Sequence, residues 1–240
     1  MLKVNCGYIK VLVLLVIVGF LYAFTNTRNK SRIITKPEVK FSGSANLFLT
    51  HDNVSKLLIQ NPSGLNNDTK DIIDLNVLES ALNSNPMVKN AEVFMSVNGR
   101  LTAEVEQKRP IARVYTNASY YIDDEGSYMP LSTNYSARVP LVTGTVYKTK
   151  LDKIYKIAMV IDADEFLKQH VIEINQDADQ NISLRLRKYD FRLNFGSLNK
   201  LEKKINNFKA FYKKAVNDKT INTYSSVNLR FDNQVICTKK

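Results

Sequence analysis

The stretch from Ala91 to Lys108, AEVFMSVNGRLTAEVEQK, determines the architecture of the first part of the chain. Apolar and polar residues alternate on both sides of its centre, which is typical of strands that bury one face. Asn98-Gly99 stands between the two halves and is a strong hairpin signal, since both residue types tolerate a positive φ. We therefore predict two antiparallel strands. Their inward side chains are predicted to be Ala91, Val93, Met95, Val97, Leu101, Ala103 and Val105.

A second stretch, EVEQKRPIARVY (104–115), overlaps the end of the first and contains two acids and three bases around one proline. Such a cluster can be reactive, but in a strand Glu104 and Glu106 lie two residues apart and share its solvent side. Pro110 has no backbone N–H and a fixed φ, so we expect it to end the ladder of the second strand. The stretch is interpreted as a domain junction in which Arg109 and Pro110 set the angle between two binding units.

Two helices are predicted upstream of the hairpin. Thr50 is a suitable N-cap for the segment HDNVSKLLI (51–59), and a loop rich in Pro, Gly and Asn follows it. A second apolar stripe at helical spacing ends before Pro86. Its members are Leu75, Leu78 and Leu82. With a preceding strand, the order is strand, helix, helix, strand, strand, which indicates a small α+β unit over residues 39–114.

The remainder, residues 115–240, is predicted to be a mixed β domain with helices. Three neighbouring segments, 170–175, 182–187 and 191–195, alternate in the manner of consecutive antiparallel strands. The longest helix follows, with lysines lying off an apolar stripe. The stripe comprises Leu198, Leu201, Ile205, Phe208, Tyr212 and Ala215, and the lysines are Lys200, Lys203, Lys204, Lys213 and Lys214. A last strand is predicted from Val227 to Ile236.

The N-terminus carries the run VLVLLVIVGFLYAFTNT (11–27), which has no charge and is densely apolar. Its length approaches the ~20 residues that a membrane-spanning helix needs. We predict a transmembrane helix at 11–27, preceded by a short tail (1–10) and followed by a polar, basic linker (28–38). A cleaved signal peptide is the alternative, but the run lacks an A-x-A-like exit, and Cys6 precedes it rather than following it as in a lipoprotein.

The charges on either side of this run bear on its orientation. Two lysines precede it, whereas four basic residues follow closely, at Arg28, Lys30, Arg32 and Lys36. The positive-inside rule alone therefore places the large C-terminal part in the cytoplasm. Because long translocated domains are only loosely governed by flanking charge, this rule does not decide the topology.

The composition limits the chemistry that the chain can perform. A formal net charge of +11 over 240 residues favours anionic partners, such as nucleic acid, an acidic membrane surface or acidic protein segments. The lysines of the long helix surround an apolar stripe without interleaved aromatics, so a solvated face is favoured over nucleic-acid binding. The two histidines, His51 and His170, and the two cysteines, Cys6 and Cys237, show no zinc-binding spacing.

Two acidic segments invite a metal-binding or catalytic interpretation. Residues 177–188 begin like a calcium loop, but Ile182 and Lys188 stand where glycine and the bidentate glutamate are needed. The acids at 123–125 directly precede Gly126, which favours a hairpin turn over an acid–base cluster. A metal or catalytic site is therefore not predicted at either segment.

Two D-x-D pairs, Asp162 with Asp164 and Asp177 with Asp179, match the pattern by which many glycosyltransferases hold a metal–nucleotide complex. Combined with one N-terminal anchor, they make a type II membrane-anchored glycosyltransferase an alternative function. The chain lacks the βαβ pattern of a nucleotide-binding sheet, so we do not predict an enzyme.

Several short motifs occur in a familiar order. They are LESALNSNPMVKNAEV (78–93), LTAEVEQKRPIARV (101–114), YYIDDEGSYMPL (120–131), RVPLVTG (138–144) and VNLRFDNQVI (227–236). Together they resemble the bacterial cell-division family FtsQ/DivIB, over roughly residues 8–237. Met87 departs from the family's pattern, which often has tryptophan at that place. The positions that match are Pro86, Val88, Lys89, Ala91, Val93, Glu106, Pro110, Ala112, Asp123, Gly126, Pro140 and Gly144.

The resemblance implies a POTRA domain over residues 39–114 and a β domain over residues 115–240, behind a single membrane helix. It also implies a non-catalytic scaffold that links and regulates the septal cell-wall machinery, without a cofactor, nucleic acid or small-molecule substrate. The implied partners are the division proteins FtsB and FtsL and, through them, septal peptidoglycan synthases. The implied location is the cytoplasmic membrane at the division septum, with the N-terminus in the cytoplasm and the soluble part in the periplasm.

The resemblance further implies partner binding at the last strand, 227–236, whose edge offers main-chain pairing to a partner strand. The family's L-R-[YF]-D pattern appears there at residues 229–232. Arg230 is expected to pair with a partner carboxylate and Phe231 to act as an apolar anchor, with a core position for Phe231 as the open alternative. The predicted partner-binding residues are Arg230, Phe231, Asp232 and Val235.

Two alternative functions stay open on the sequence alone. One is the membrane-anchored glycosyltransferase with a D-x-D metal site. The other is a POTRA-bearing component of outer-membrane protein assembly, which would need regularly repeated alternating strands of about ten residues. The chain shows no such repetition, so the scaffold is the predicted function.

Overall fold

The computed structural model describes residues 6–30, 37–60, 74–231 and 233–240, and in the first helix the side chains of residues 9–25. The chain divides into two compact units, Met1–Gln107 and Lys108–Lys240. The sequence pattern predicts this boundary after Val114. It lies before Lys108 instead, because the strand that starts at Pro110 pairs only with strands of the second unit.

The first helix, α1 (Cys6–Lys30), contains the apolar run and extends beyond the predicted limits, residues 11–27. Its large apolar side chains from Ile9 to Phe24 are between 48% and 74% exposed. Among the described residues, no helix combines the length and the apolar character that a membrane crossing requires. The predicted transmembrane helix is therefore not confirmed. Residues 1–5 of the predicted tail and 31–36 of the predicted linker lie outside the described residues.

The rest of the first unit has the predicted order of strand, helix, helix, strand, strand. Its elements are β1 (Glu38–Ser42), α2 (His51–Ile59), α3 (Leu75–Asn83), β2 (Val88–Met95) and β3 (Leu101–Gln107). Strand β3 lies in the centre of the sheet, between β1 and β2. It runs parallel to β1 and antiparallel to β2, so the hairpin contributes two adjacent strands and the N-terminal strand completes the sheet.

Local hydrogen bonds explain where the helices of this unit begin. Thr50 and Asn53 form a capping box at α2, in which the Thr50 hydroxyl accepts from the Asn53 N–H at 3.2 Å. Asp74 caps α3 by accepting from the Asn76 N–H at 2.9 Å. The apolar faces of both helices meet the sheet in one core. Its most buried members are Val54, Leu58, Leu78, Leu82, Ala91, Leu101, Ala103 and Val105.

The hairpin turn at Asn98-Gly99 is confirmed, but one residue of the predicted core lies in this turn and is exposed. Gly99 has a φ of +79°, and the Ser96 N–H donates to the Arg100 carbonyl at 2.9 Å. Val97, predicted to face inward, is 83% exposed. The reason is that β2 ends at Met95, so Val97 lies in the turn rather than in the strand.

Among the residues that the structure describes, the second unit forms one nine-stranded sheet. Its strands are β4 (Pro110–Tyr115), β5 (Ser119–Asp123), β6 (Tyr128–Met129), β7 (Leu141–Gly144), β8 (Val171–Gln176), β9 (Ile182–Leu186), β10 (Arg192–Gly196), β11 (Tyr224–Asn228) and β12 (Ile236–Lys239). Their spatial order is β12-β11-β10-β9-β8-β7-β4-β5-β6. The predicted antiparallel succession of β8, β9 and β10 is confirmed. The sheet is mixed, because β4 with β7, β7 with β8, and β10 with β11 are parallel pairs.

The helices of the second unit are α4 (Asp152–Ala163), α5 (Glu165–His170) and α6 (Leu201–Asn217). They share one core with the sheet, which includes Ile154 of α4, Leu167 of α5 and Phe208 of α6. The core therefore lies between the helices and the sheet. The Phe211 ring of α6 contacts the Tyr224 ring of β11, with 5.6 Å between their centroids, so α6 lies against the part of the sheet that leads to the C-terminus.

Pro110 has a different role from the one predicted. It does not end the ladder of the first sheet, which stops at Gln107, but is the first residue of β4 in the second sheet. A strand tolerates proline at its first position, because the missing N–H is not needed there. Pro110 therefore marks the start of the second unit rather than a break inside the first.

Candidate functional site

The C-terminal hairpin, residues 224–239, comprises β11, the loop 229–235 and β12. Strand β12 pairs antiparallel with β11, from Asn228 opposite Ile236 to Tyr224 opposite Lys239. In the part of the chain that the structure describes, no further strand pairs with the far side of β12. The nine-stranded sheet therefore ends in an edge formed by the last strand of the chain.

The predicted single strand from Val227 to Ile236 is wrong, because the chain leaves the sheet after Asn228. The side chain of Asn228 accepts from the Arg230 N–H at 3.0 Å, which turns the backbone locally. The Leu229 N–H still donates to the Asn194 carbonyl of β10 at 2.8 Å, and the Leu229 side chain is buried. The described residues of the connecting segment, 229–231 and 233–235, belong to no strand, and pairing resumes only at Ile236.

Arg230 lies across Gly196, at the end of β10. A Cβ on Gly196 would come within 3.0 Å of Arg230 Cγ and 3.3 Å of its Nε. Gly196 has a φ of +64° as well, which favours glycine at this position, and any added Cβ would displace the Arg230 side chain. The guanidinium forms no ion pair with a described residue, although its charge helps to lower the pKa of Asp177, after the hydrogen bonds from Asn181. Arg230 is therefore held in place by packing, with its charge free for a partner.

A buried lysine supports the turn beneath Arg230. Lys204 of α6 is only 3% exposed, and its Nζ donates to the carbonyls of Phe195 at 2.9 Å and Ser197 at 2.7 Å. These two carbonyls flank Gly196. The helix pattern predicts that Lys204 is one of the solvated lysines, and this prediction is wrong because its ammonium donates to backbone carbonyls at the end of β10 instead.

The remaining predicted partner-binding residues are placed differently from one another. Phe231 is 46% exposed, so it is not a core residue, and Ile236 at the start of β12 is 42% exposed. Val235 is half-buried and packs against the core of the second unit. Asp232 lies outside the described residues. The hairpin thus presents two exposed apolar side chains beside the unpaired charge of Arg230.

The loop of the hairpin is fixed at a second point by α6. The Lys203 Nζ donates to the Asn233 side-chain oxygen at 2.8 Å. Lys203 therefore bonds the segment just after Phe231, and its neighbour Lys204 supports the end of β10 on which Arg230 packs. Residues held in this way lose little conformational freedom when a partner binds, which favours affinity.

The other sheet edges are less suited to accept a strand. In the first unit, Asn83 of α3 accepts from the Ala91 N–H at 2.8 Å and donates to the Ala91 carbonyl at 3.1 Å. Glu79 accepts from the Val93 N–H at 3.2 Å, so side chains already occupy the outer groups of β2. Strand β1 displays Glu38 and Lys40, and charges on an edge oppose strand addition. Strand β6 has only two residues.

The predicted domain-junction residue Arg109 is the centre of an ion cluster in the second unit. Its guanidinium contacts Asp124 at 3.3 Å and Asp162 at 2.7 Å, and Asp162 also accepts from the Lys168 ammonium at 2.8 Å. Burial raises the pKa of Asp162, but the hydrogen bonds from Lys168 and Arg109 outweigh it and lower that pKa overall. Arg109 therefore joins the start of β4 to the end of α4 and to the turn after β5.

Three of the four D-x-D carboxylates, those of Asp162, Asp164 and Asp177, have structural partners. Asp162 is held in the Arg109 cluster, and Asp164 caps α5 by accepting from the Leu167 N–H at 3.0 Å while it pairs with Lys209. Asp177 accepts from the Asn181 N–H at 2.7 Å within the turn between β8 and β9. Within the described ranges, no group of three or more His, Cys, Asp or Glu side chains is arranged to hold a metal ion. These contacts favour structural roles for the acidic motifs.

Comparison with protein families gives two matches. A family model described as FtsQ/DivIB, C-terminal related, matches residues 109–238, and one described as a POTRA-like domain matches residues 34–106. The POTRA-like range covers the first compact unit from residue 34 onwards, and the FtsQ/DivIB range covers nearly all of the second. The C-terminal hairpin lies within the FtsQ/DivIB range except for Lys239. A comparison with curated proteins gives no match.

Proposed function

The chain belongs to the FtsQ/DivIB cell-division family, since the family's C-terminal model covers more than half of it, and we propose that it is a non-catalytic scaffold of the divisome. In this proposal the second unit binds a division protein of the FtsB or FtsL type. Through that partner it links and regulates septal peptidoglycan synthases. The POTRA-like first unit is the second binding module of the scaffold.

The observation that carries the proposal is the open edge of β12. A partner strand can continue the sheet there, with main-chain hydrogen bonds supplying affinity and neighbouring side chains supplying specificity. Phe231 and Ile236 offer apolar contacts, and Arg230 offers a charge-assisted hydrogen bond. A partner segment that presents a carboxylate and a large apolar side chain near an extended strand fits this combination.

The helix α1 supports a second part of the proposal, attachment to the cytoplasmic membrane. Its apolar side chains are exposed along residues 9–24, and residues 11–27 carry no charge. Apolar surface left in water is unfavourable by ~25 cal/mol per Å², which favours a lipid surrounding for this helix. Although no described helix combines the length and the apolar character of a membrane crossing, the uncharged run at 11–27 leads us to infer a single-pass arrangement with the N-terminus in the cytoplasm and residues 40–240 in the periplasm.

Membrane attachment predicts that the full chain stays with the membrane fraction during alkaline carbonate extraction. Removal of residues 6–30 should move the protein into the soluble fraction, because the exposed apolar helix is lost. In intact spheroplasts, external protease should digest residues 40–240. Extraction of the full chain by carbonate would overturn the attachment, and protection of residues 40–240 would overturn the orientation.

The proposed function predicts that a fluorescent fusion of the full chain concentrates at the division septum. A fusion that lacks residues 229–240 should keep its membrane attachment but should no longer copurify with the FtsB-type protein of the same bacterium. The control is a fusion with Lys214→Ala, an exposed α6 position away from the hairpin. An even distribution of the full-length fusion around the cell, or unchanged copurification after the deletion, would contradict the proposal.

A further inference from the structure

A cavity of about 330 Å³ lies in the second unit, lined by residues of β4, α4, α5 and β8 and of the segments before β7 and after β9. Its apolar wall is formed by Ile111 of β4, Ile161 of α4, and Val171 and Ile172 of β8. Three of these side chains are almost fully buried, and Ile172 is half-buried. The wall is therefore part of the rigid core rather than of a loop.

The rim of the cavity is basic. It carries Arg138, Lys168 and Arg187, all of them exposed, so the cavity opens to solvent between three cations. One carboxylate, Asp162, also lines it, but its two oxygens are occupied by Arg109 and Lys168. The charge of Asp162 is thus already balanced, and Asp162 does not neutralise the positive charges of Arg138 and Arg187.

Neither arginine of the rim has an anionic partner among the residues that the structure describes. Arg187 uses its backbone N–H to bond the His170 carbonyl at 2.8 Å, which fixes its position at the end of β9. Arg138 precedes β7, where the Pro140 carbonyl accepts from the Arg113 N–H at 2.9 Å. Two anchored backbone segments therefore present two free guanidinium groups to one cavity.

A planar guanidinium matches a carboxylate by two parallel hydrogen bonds, and this pairing strengthens beside an apolar surface that excludes water. The four aliphatic side chains of the wall offer nothing to a small inorganic anion. They do match an aliphatic side chain placed next to the carboxylate. The volume lies at the low end of the ~300–1,000 Å³ that ligand pockets span, which fits one or two side chains rather than a cofactor.

We propose that this cavity binds an acidic side chain and an adjoining aliphatic side chain of a partner protein, with Arg138 and Arg187 holding the carboxylate. The net charge of +11 attracts acidic segments to the chain over longer distances. The cavity takes no residue from the C-terminal hairpin. It is therefore a separate contact point, and its binding does not depend on strand addition at β12.

The isoleucines of the wall allow a direct test. The full chain, in detergent micelles and labelled at the isoleucine δ1 methyl groups, is titrated with the peptide acetyl-Leu-Glu-Leu-amide. Methyl resonances of Ile111, Ile161 and Ile172 should shift, while that of Ile236 in the hairpin stays in place. The matched peptide with Gln in place of Glu should bind about tenfold more weakly, because the carboxylate is lost.

Variants of the rim identify the groups responsible. The double change Arg138→Gln with Arg187→Gln should weaken binding of the Glu peptide by about tenfold or more, since both guanidinium groups are removed. Arg187→Lys keeps the positive charge but loses the two parallel N–H donors of the guanidinium. Its affinity for the Glu peptide should therefore lie between those of the unchanged chain and the double variant. Arg192→Gln, an exposed arginine of β10 outside the cavity, is the matched control and should bind as the unchanged chain does.

Four results would overturn the proposal. One is equal binding of the Glu and Gln peptides, and another is unchanged binding in the double variant. The third is inorganic phosphate shifting the same three methyl resonances as strongly as the Glu peptide, which would identify a general anion site. A shift of Ile236 alone would support the hairpin and count against the cavity, so the two sites are distinguished in one spectrum.

Discussion

Replacement of Phe231 by alanine is expected to weaken binding of the FtsB-type partner by about 2 kcal/mol or more, roughly thirtyfold in Kd. Phe231 is nearly half exposed at the start of the loop that leads to the open edge, so a partner can bury it fully. Aromatic side chains that become buried at the centre of an interface dominate its free energy. The free energy of unfolding of the chain itself should change by no more than about 0.5 kcal/mol, because Phe231 contributes little to the core.

The charge beside Phe231 is tested by Arg230→Glu in the same assay. Charge reversal should weaken binding at least as much, because a partner carboxylate would then face a like charge. Arg192→Glu is the matched control, since it makes the same charge change on an exposed strand residue of β10. Binding is measured by biolayer interferometry with the immobilised FtsB-type partner. Unchanged affinity in both the Phe231 and the Arg230 variants would remove the hairpin loop from the interface.

The largest effect on stability is expected at Lys204. Replacement by methionine keeps the aliphatic stem but leaves the carbonyls of Phe195 and Ser197 without their buried donor. Each lost bond to a buried charged group is worth about 1.5–3 kcal/mol, so the free energy of unfolding should fall by about 3 kcal/mol. Lys214→Met on the exposed side of the same helix should change it by less than about 0.5 kcal/mol. Urea denaturation of both variants measures the difference.

The same substitution links the core to the proposed interface. Because the Phe195 and Ser197 carbonyls flank Gly196, and Arg230 packs on Gly196, loosening this turn should also weaken partner binding. The chain with Lys204→Met should therefore lose affinity under conditions where it is still folded. Equal stability in the Lys204 and Lys214 variants would show that the buried ammonium does not support the turn.

The architecture of the first unit was predictable because its signals are local. Asn98-Gly99 fixes the hairpin, and the helix caps at Thr50 and Asp74 each act within three residues along the chain. The domain boundary was not predictable in this way. Residues 110–115 have the pattern of a strand that either sheet could accept, and only pairing with β5 and β7 assigns them to the second unit.

The residues of the candidate site were predicted from the sequence, but their local backbone structure was not. The L-R-F-D pattern marked Arg230 and Phe231, whereas the turn at Asn228 that makes them part of a loop depends on a side-chain hydrogen bond. A signal for this break was present, since Asp232-Asn233 interrupts the presumed strand with two turn-forming residues. The sequence also contains a signal for the burial of Lys204, because this residue lies three positions after Leu201 and four before Phe208, on the buried face of the helix. Its partners, the carbonyls of Phe195 and Ser197 at the end of β10, could not be predicted from the helix pattern.

Amide hydrogen exchange of the full chain, with and without the FtsB-type partner, tests most directly whether β12 accepts a partner strand. Addition of a strand supplies hydrogen-bond partners to the outer groups of residues 236–239. Exchange of the outward-facing amides among these residues should therefore slow by about tenfold or more on binding, while the amides of β6 and of the β1 edge keep their rates. Partner binding that leaves residues 236–239 unprotected, or that protects another edge instead, would contradict the proposed mode of assembly.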